Sequence, residues 1–470
     1  MSPAKGFAQL LLIVSTFSSG RCQTSAHGRR PHIILIVADD LGWSDVGWRD
    51  PEMHTPALDR LAMDGVILNQ TYMQAECSPS RAAMLTGKYP FRLGLQHNVI
   101  IAGKENYLPA SETLLPEHLQ RLGYATHIVG KWHLGFCDWK YTPTYRGFDT
   151  FYGFYNAAED YYTHRAKKDG YDFRDNEKVD WSANGTYSTH LFATRAQRIV
   201  RDHDPDKPLF LYLSFQAVHA PTQVPQEYID KYCPNVTDSK RQTFCGMVAA
   251  MDEAVGNFTQ TLKDSGLGDN AIVIFTTDNG GPVSIGSSNA PLAGTKTTLW
   301  EGGTRAVSFL YSQNQTLLPK RNTTFNGIMH VTDWFPTMLS MAGNDDLNIT
   351  SGIDGMDMWA DIQQVRRKSP RKEFVYNIDD VDGVAAIRVR KWKLMKKINK
   401  KTKNMKTMLY NLEKDPTETE NLASSKAKVV QRLEKKLLRY RRGMVPHQSA
   451  PPIAKADPIN NNNTWSPGFC

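Results

Sequence analysis

"HIILIVADD", residues 32–40, is an unbroken β-branched run that stops on two aspartates. A run that is apolar at every position, rather than at every second one, reads as a strand buried on both faces. Such strands belong to parallel sheets covered by helices above and below. Three other runs repeat the pattern. "YATHIVGKWHLG" (124–135) ends in Lys131 and His133, "PLFLYLSFQAVHAP" (208–221) ends near His219, and "AIVIFTTDNGG" (271–281) ends in Asp278 and Asn279. Between them lie helical patterns: "TPALDRLAMDGV" (55–66), and a long amphipathic stretch from Thr243 that should end at Gly266 or Gly268. Strand alternating with helix predicts an α/β layered fold with a mostly parallel sheet. Ligands of such sheets bind beyond the carboxyl ends of the strands. The polar residues that end these runs are therefore expected to converge on one rim.

The chain has 470 residues, more than a single core usually supports. The layered texture covers about residues 30–345. From 346 to 445 it gives way to short strands joined by turns ("KEFVYNIDD", "GVAAIRVRKWKLMKK", "MLYNLEKDPTETENL") and the amphipathic "KAKVVQRLEKKLLRYRRG". That predicts a smaller antiparallel α+β domain, followed by a polar tail over 446–470. With 40% hydrophobic and 22% charged residues, wholesale disorder is excluded. The net charge of +8 suits either solubility or approach to a polyanion. The lysine-rich "KLMKKINKKTKNMK" (393–406) is read first as a solvated hairpin and second as a polyanion contact.

Lys5, the apolar "FAQLLLIVSTF" and the small residues after it form a signal-peptide pattern over about residues 1–22. No later run is long and apolar enough for a membrane span. Asn69, Asn184, Asn235, Asn257, Asn314, Asn322, Asn348 and Asn462 each begin an Asn-x-Ser/Thr sequon, which agrees with passage through the secretory pathway and predicts a glycoprotein. Cys22 falls in the cleavage zone. Cys233 and Cys245 flank a short polar loop and are the natural disulfide pair; Cys137 with Cys470 is a second pairing that spacing does not fix. Cys77 is left over. In an oxidising compartment an odd cysteine is an accident, an intermolecular bridge, or chemistry.

Asp39, Asp40, Asp278 and Asn279 are oxygen donors whose carboxylates would repel unless a cation lay among them. A Ca²⁺ ion suits that shell best, although either pair alone would read as a turn. Cys77 opens "CSPSRAAMLTG", where Pro79 favours a first helical turn and Gly87 a stop. A helix mouth beside Arg81 attracts anions and stabilises a thiolate, so a cysteine-hydrolase nucleophile competes with a buried structural cysteine. Lys131, His133, His219 and Lys296, the last in the Gly-rich "APLAGTKTTLWEGGTR", could hold a tetrahedral oxyanion and exchange protons with it.

Cys-Ser-Pro-Ser-Arg at 77–81 with "AAMLTGKYP" after it resembles the sulfatase signature, and "IVADDLGWSDVGW", "GKWHLG" and "TDNGG" resemble that family's other blocks in the same order. The likeness runs from about residue 31 to the 440s. It looks nearest the arylsulfatase B (N-acetylgalactosamine-4-sulfatase) group on "RGFDTFYG", "EDYYTH", "LWEGGTRAVSFLY" and "HVTDWFPTMLSMAG", while "FCDWKYTPTY" departs from it. The resemblance implies an alkaline-phosphatase-like fold. It implies that a formylglycine-generating enzyme oxidises Cys77 to an aldehyde, whose hydrate attacks sulfur with one hydroxyl and expels sulfate with the other. It implies Asp39, Asp40, Asp278, Asn279 and the modified Cys77 as calcium ligands. Arg81 and Lys131 would steady the hydrate, Lys131 and Lys296 bind sulfate, His133 act as base in the elimination, and His219 protonate the leaving oxygen. The expected substrate is a sulfated sugar or glycosaminoglycan, N-acetylgalactosamine 4-sulfate of chondroitin or dermatan chains first, in the lysosome or outside the cell; no nucleic acid partner and no membrane span are expected. A phosphoesterase on the same scaffold would favour a Ser or Thr nucleophile and more metal-binding histidines, and a non-catalytic glycan-binding glycoprotein would lack part of this set.

Overall fold

The polypeptide, described by a computed structural model over residues 29–344, 346, 351–366 and 369–470, places the quoted run at the centre of a large sheet. The expected signal peptide, Cys22 and Asn348 lie outside the described residues. The strands are β1 (His32–Ala38), β2 (Val66–Tyr72), β3 (Ala125–Lys131), β4 (Thr150–Phe154), β5 (Arg174–Asp175), β6 (Lys178–Val179), β7 (Leu209–Ser214), β8 (Ala271–Thr277), β9 (Ser308–Tyr311) and β10 (Thr323–His330). Their order is β10-β2-β9-β8-β1-β7-β3-β4-β5-β6. The neighbours β8, β1, β7, β3 and β4 run parallel, as do β2 and β10. β9, β5 and β6 run antiparallel to their partners.

Both faces of β1 are buried, for the reason its sequence predicts. Ile33, Leu35 and Val37 enter one apolar layer, and Ile34, Ile36 and Ala38 the other. Each of the large side chains contributes about 1.5–3 kcal/mol by leaving water. The first layer holds helices α2 (Cys77–Thr86), α3 (Leu115–Arg121), α8 (Trp334–Met341) and α9 (Trp359–Gln363). The second holds α1 (Pro56–Asp64), α4 (Ser188–Asp202), α5 (Gln226–Tyr232) and α6 (Ser239–Asp264). α6 starts four residues before the amphipathic pattern does, because Asp238 caps it by accepting from the Arg241 amide at 2.8 Å. It ends at Asp264, with Gly266 left-handed just beyond.

The smaller unit is an antiparallel meander of β11 (Glu373–Asp379), β12 (Val384–Val389), β13 (Trp392–Ile398) and β14 (Met405–Asn411), with α10 (Ala427–Arg441) leaning on it. It joins the large sheet through a buried polar knot at the short helix α7 (Glu301–Thr304). The Glu301 carboxylate accepts from Tyr72 at 2.7 Å, Tyr376 at 2.9 Å and Lys393 at 3.0 Å, and Lys393 also pairs with Glu418 at 2.8 Å. Burial would raise the Glu301 carboxyl, but Lys393 and Arg388 beside it bring it down to about 2.

Both expected disulfides form, with Cα separations of 6.1 Å for Cys233–Cys245 and 5.3 Å for Cys137–Cys470. The tail packs closely against the large unit despite its polar composition. Trp465 and Phe469 are buried against Phe136, and the Tyr171 amide donates to Asn463 O at 2.8 Å. No described helix is long and apolar enough to cross a membrane.

Candidate active site

Four adjacent parallel strands bring their carboxyl ends to one place. Ala38 of β1 pairs with Thr277 of β8, so Asp39 and Asp278 leave the sheet side by side. Lys131 is the last residue of β3, and Ser214 the last of β7. Gly130, one residue before Lys131, has φ +108°, and a Cβ there would lie 1.9 Å from the Ser214 carbonyl oxygen. Glycine thus lets β3 close against β7 and aims the lysine inward.

α2 delivers Cys77 and Arg81 to the same place. It ends as its sequence predicts, with Gly87 at φ 70°. The helix mouth left a reactive and a buried cysteine as competing readings, and the structure shows a buried one: Cys77 is 2% exposed, and every residue of α2 is buried. Burial first, and Asp39 second, push its thiol up, away from the thiolate that a cysteine hydrolase requires.

Around Cys77, carboxylates and cations interleave. The Cys77 Sγ lies 3.5 Å from Asp39 Oδ1. Lys131 Nζ donates to Asp39, Lys296 Nζ is 2.7 Å from Asp40 Oδ1, and Arg81 is bidentate on Asp278 Oδ2 at 2.8 and 3.0 Å. Burial alone would raise both aspartates. Lys131 and His219 beside Asp39, and Lys296 and His219 beside Asp40, hold them below the usual carboxylate range.

The two histidines differ. His133 is buried, with Nε2 3.0 Å from the Ile100 carbonyl and Nδ1 without a partner. Donation from Nε2–H leaves the Nδ1 lone pair free, and burial, with Lys131 and Arg81 nearby, keeps the ring neutral. His219 stands at the rim with 18% of its side chain exposed. Its Nδ1 meets the Ala220 carbonyl at 2.6 Å, and its Nε2 is 3.6 Å from Asp40 Oδ2.

A divalent cation fits this donor set. Asp39, Asp40, Cys77 and His219 each offer a ligand atom within 4.8 Å of one another. Asn279 turns its Nδ2 to Asp40 Oδ1 at 2.6 Å and leaves its Oδ1 buried and unpartnered. Rotating the amide presents that oxygen to the same spot. Asp278 stands apart from the expected ligand set in being held by Arg81, although its Oδ1 remains 3.4 Å from the Asp40 amide.

Every site residue named from the sequence reaches this rim. The residues that hold the others in place were not among those named. Ser214 Oγ and Tyr212 OH meet Arg81 Nη1 at 2.5 and 3.5 Å. Asp45 binds the Gly42 and Ser288 amides and Ser287 Oγ at 2.6–2.9 Å, tying the turn after β1 to the loop that carries Lys296. The polar ends of "FLYLS" and the Asp of "LGWSD" were the only signals for them.

The sequence model of the Sulfatase family matches residues 31–344, which include every residue of this rim. The chain belongs to the sulfatase family. This sulfatase is 38% identical to mouse arylsulfatase J over 94% of its own length and 80% of that protein's. It is 32% identical to mouse N-acetylgalactosamine-6-sulfatase (76% and 70%) and 30% identical to human arylsulfatase A (84% and 84%). The crystal structure of Ps i-CgsB in complex with k-i-k-neocarrahexaose superposes with a TM-score of 0.80 at 28% identity, over 92% of this sulfatase and 96% of that chain. A phosphonate monoester hydrolase of Agrobacterium radiobacter shares the fold alone, at 18% identity and a TM-score of 0.62 over 88% of this sulfatase and 96% of that chain. As a member of this family, the protein hydrolyses sulfate esters.

Proposed function

We propose that this sulfatase removes sulfate from a sugar, N-acetylgalactosamine 4-sulfate of a chondroitin- or dermatan-type chain, using an aldehyde made from Cys77. The observation that carries the reading is the placement of Cys77 against Asp39, with Lys131, Lys296 and Arg81 on the adjoining carboxylates. Formylglycine at position 77 supplies, as its hydrate, one hydroxyl to attack sulfur and another to expel sulfate. Asp39, Asp40, Asp278 and Asn279 would hold a Ca²⁺ ion, which would supply positive charge to the site.

The chain's own residues do the rest. Lys131 and Lys296 bind the sulfate oxygens as charge builds on them. Arg81 fixes Asp278 and balances its buried charge. His219, partly exposed at the rim, donates from Nε2 to the leaving sugar oxygen; burial lowers its pKa, and Asp40 behind it opposes that shift. His133 takes up a proton at its free Nδ1 when sulfate departs. N-acetylgalactosamine is supported by the sulfatases named for it among the relatives, and a sugar chain by the hexaose held in the related crystal structure. The two disulfides support folding in the secretory pathway, lysosomal or extracellular.

The test has two parts. Mass spectrometry of the peptide holding residue 77 should find an aldehyde, and Cys77→Ala should fold yet hydrolyse no sulfate ester. The purified enzyme should then be offered galactosamine 4-sulfate, galactosamine 6-sulfate and glucosamine sulfate oligosaccharides. Turnover of the 6-sulfate with the 4-sulfate untouched would move the assignment to the 6-sulfatase side of the family. An intact thiol in an active enzyme would sink the mechanism.

A further inference from the structure

We propose that the cavity between the loop 297–300 and the β12–β13 strands is a second, anion-binding sugar subsite. It would hold the continuation of a sulfated polysaccharide whose terminal sulfate lies at Cys77. This deepens the reading above and rests on it.

The cavity has a volume of about 450 Å³ and is lined by Thr297, Trp300, Asp382, Lys396, Lys397 and Lys400, among others. That is the size of a pocket for a small ligand. Its lining includes Thr297, next in the chain to Lys296, whose Nζ sits 2.7 Å from Asp40. The cavity thus adjoins the loop that carries Lys296, one residue from a side chain of the sulfate position. Trp300, half-buried and tilted against Tyr410 at 5.5 Å, offers an amphipathic ring in the same lining.

The far end is basic in an unusual way. Lys397 and Lys406 are direct cross-strand partners in the β13–β14 register, and both are exposed. Like charges placed opposite one another destabilise a sheet unless an anion lies between them. Lys396 pairs with Glu434 at 2.5 Å and Lys400 with Asp382 at 2.8 Å, so the one carboxylate lining the cavity is already matched. Among the described residues, no acidic group pairs with Lys397, Lys401, Lys403 or Lys406. Deeper in, Lys393 is satisfied by Glu301 and Glu418 and takes no part. Of these lysines Lys397 lines the cavity, Lys406 faces Lys397 across the strand pair, and Lys401 and Lys403 lie in the turn between β13 and β14. A membrane-binding face would instead present an apolar surface flanked by charge. A sulfated or carboxylated sugar chain is the polyanion that fits.

The experiment compares two double variants of the full chain with equal charge change. Lys397→Glu/Lys406→Glu alters the subsite, and Lys178→Glu/Lys263→Glu alters exposed lysines elsewhere. Affinity for a chondroitin sulfate hexasaccharide should fall about tenfold in the first and less than twofold in the second. In the first, the KM for the hexasaccharide relative to the disaccharide should rise by the same factor. The wild-type affinity should also weaken steeply with salt. Equal losses in the two variants would reduce the effect to net charge and overturn the proposal, as would an unchanged affinity in the first. So would wild-type binding to phosphatidylserine vesicles without binding to the hexasaccharide. If hexasaccharide binding depends on these lysines but the aldehyde-bearing enzyme turns over no sulfated sugar, the subsite stands and the substrate reading falls.

Discussion

His133 ties one ring nitrogen to a backbone carbonyl and leaves the other bare inside the site, whereas His219 stands at the rim beside Asp40. The two are suited to different protons. His219→Ala should lose about 10²–10⁴-fold on alkyl sugar sulfates and much less on nitrophenyl sulfate, whose phenolate leaves unaided. Paired kinetics on the two substrates check this, and equal losses would remove His219 from the acid role. The unpartnered Asn279 Oδ1 gives a second expectation. Removing divalent cations with a chelator should lower the melting temperature, because ligands that bind only the folded state stabilise it. Asn279→Ala should shrink that shift, with no assay of turnover involved. At this scale the sequence was informative where a residue ends an apolar run. Asp39, Lys131 and Asp278 could be picked out because each lies at the end of a strand. Ser214 and Tyr212 could not, because their role is a contact with Arg81 from 131 or more positions away.

α1 and α6 are joined by one carboxylate. Asp252 of α6 accepts from the Ala57 and Leu58 amides at 3.0 and 2.7 Å, capping a helix whose own Thr55 makes no side-chain cap. Burial nevertheless pushes the Asp252 carboxyl up to about 7. A group raised on folding contributes stability that is fully present below its unfolded value, near 4, and lost as pH rises through about 7. Between pH 5 and 8 the melting temperature of the wild type should therefore fall relative to that of Asp252→Asn, whose amide does not ionise. Parallel melting curves would show it, and a constant gap would contradict it. α1, α2, α6, α10 and the four central strands were legible in the sequence. The pairing of β2 with β10 was not, because it joins segments far apart in the chain, and β2, "VILNQTY", has neither an unbroken apolar run nor an alternating pattern.

The large and small units, and the tail that returns to the first of them, make one molecule by three kinds of bond. These are the buried ionic knot at Glu301, the aromatic packing of Trp465 and Phe469, and the Cys137–Cys470 bridge. The change of texture near residue 345 announced a second unit. The knot went unseen because it needs Tyr72, Glu301, Tyr376 and Lys393 together. The tail was read as polar because asparagines outnumber the two aromatic residues that anchor it. Cys470→Ser should destabilise the protein by about 2–4 kcal/mol. It should also expose residues 446–470 to protease, which denaturant titration and limited digestion would each detect. An unchanged midpoint with a resistant tail would mean that the aromatic contacts suffice.

The enclosure of Cys77 sets a deadline. With every residue of α2 out of reach of solvent, an enzyme that converts this side chain has to meet it while the segment is still extended, before the sheet and its helices close. On the proposed reading, folding and conversion would then compete in time during synthesis. If turnover needs the aldehyde proposed at position 77, a molecule that folds first would be correctly bridged and inert. Two preparations with identical melting curves would then differ in activity according to how quickly each was made.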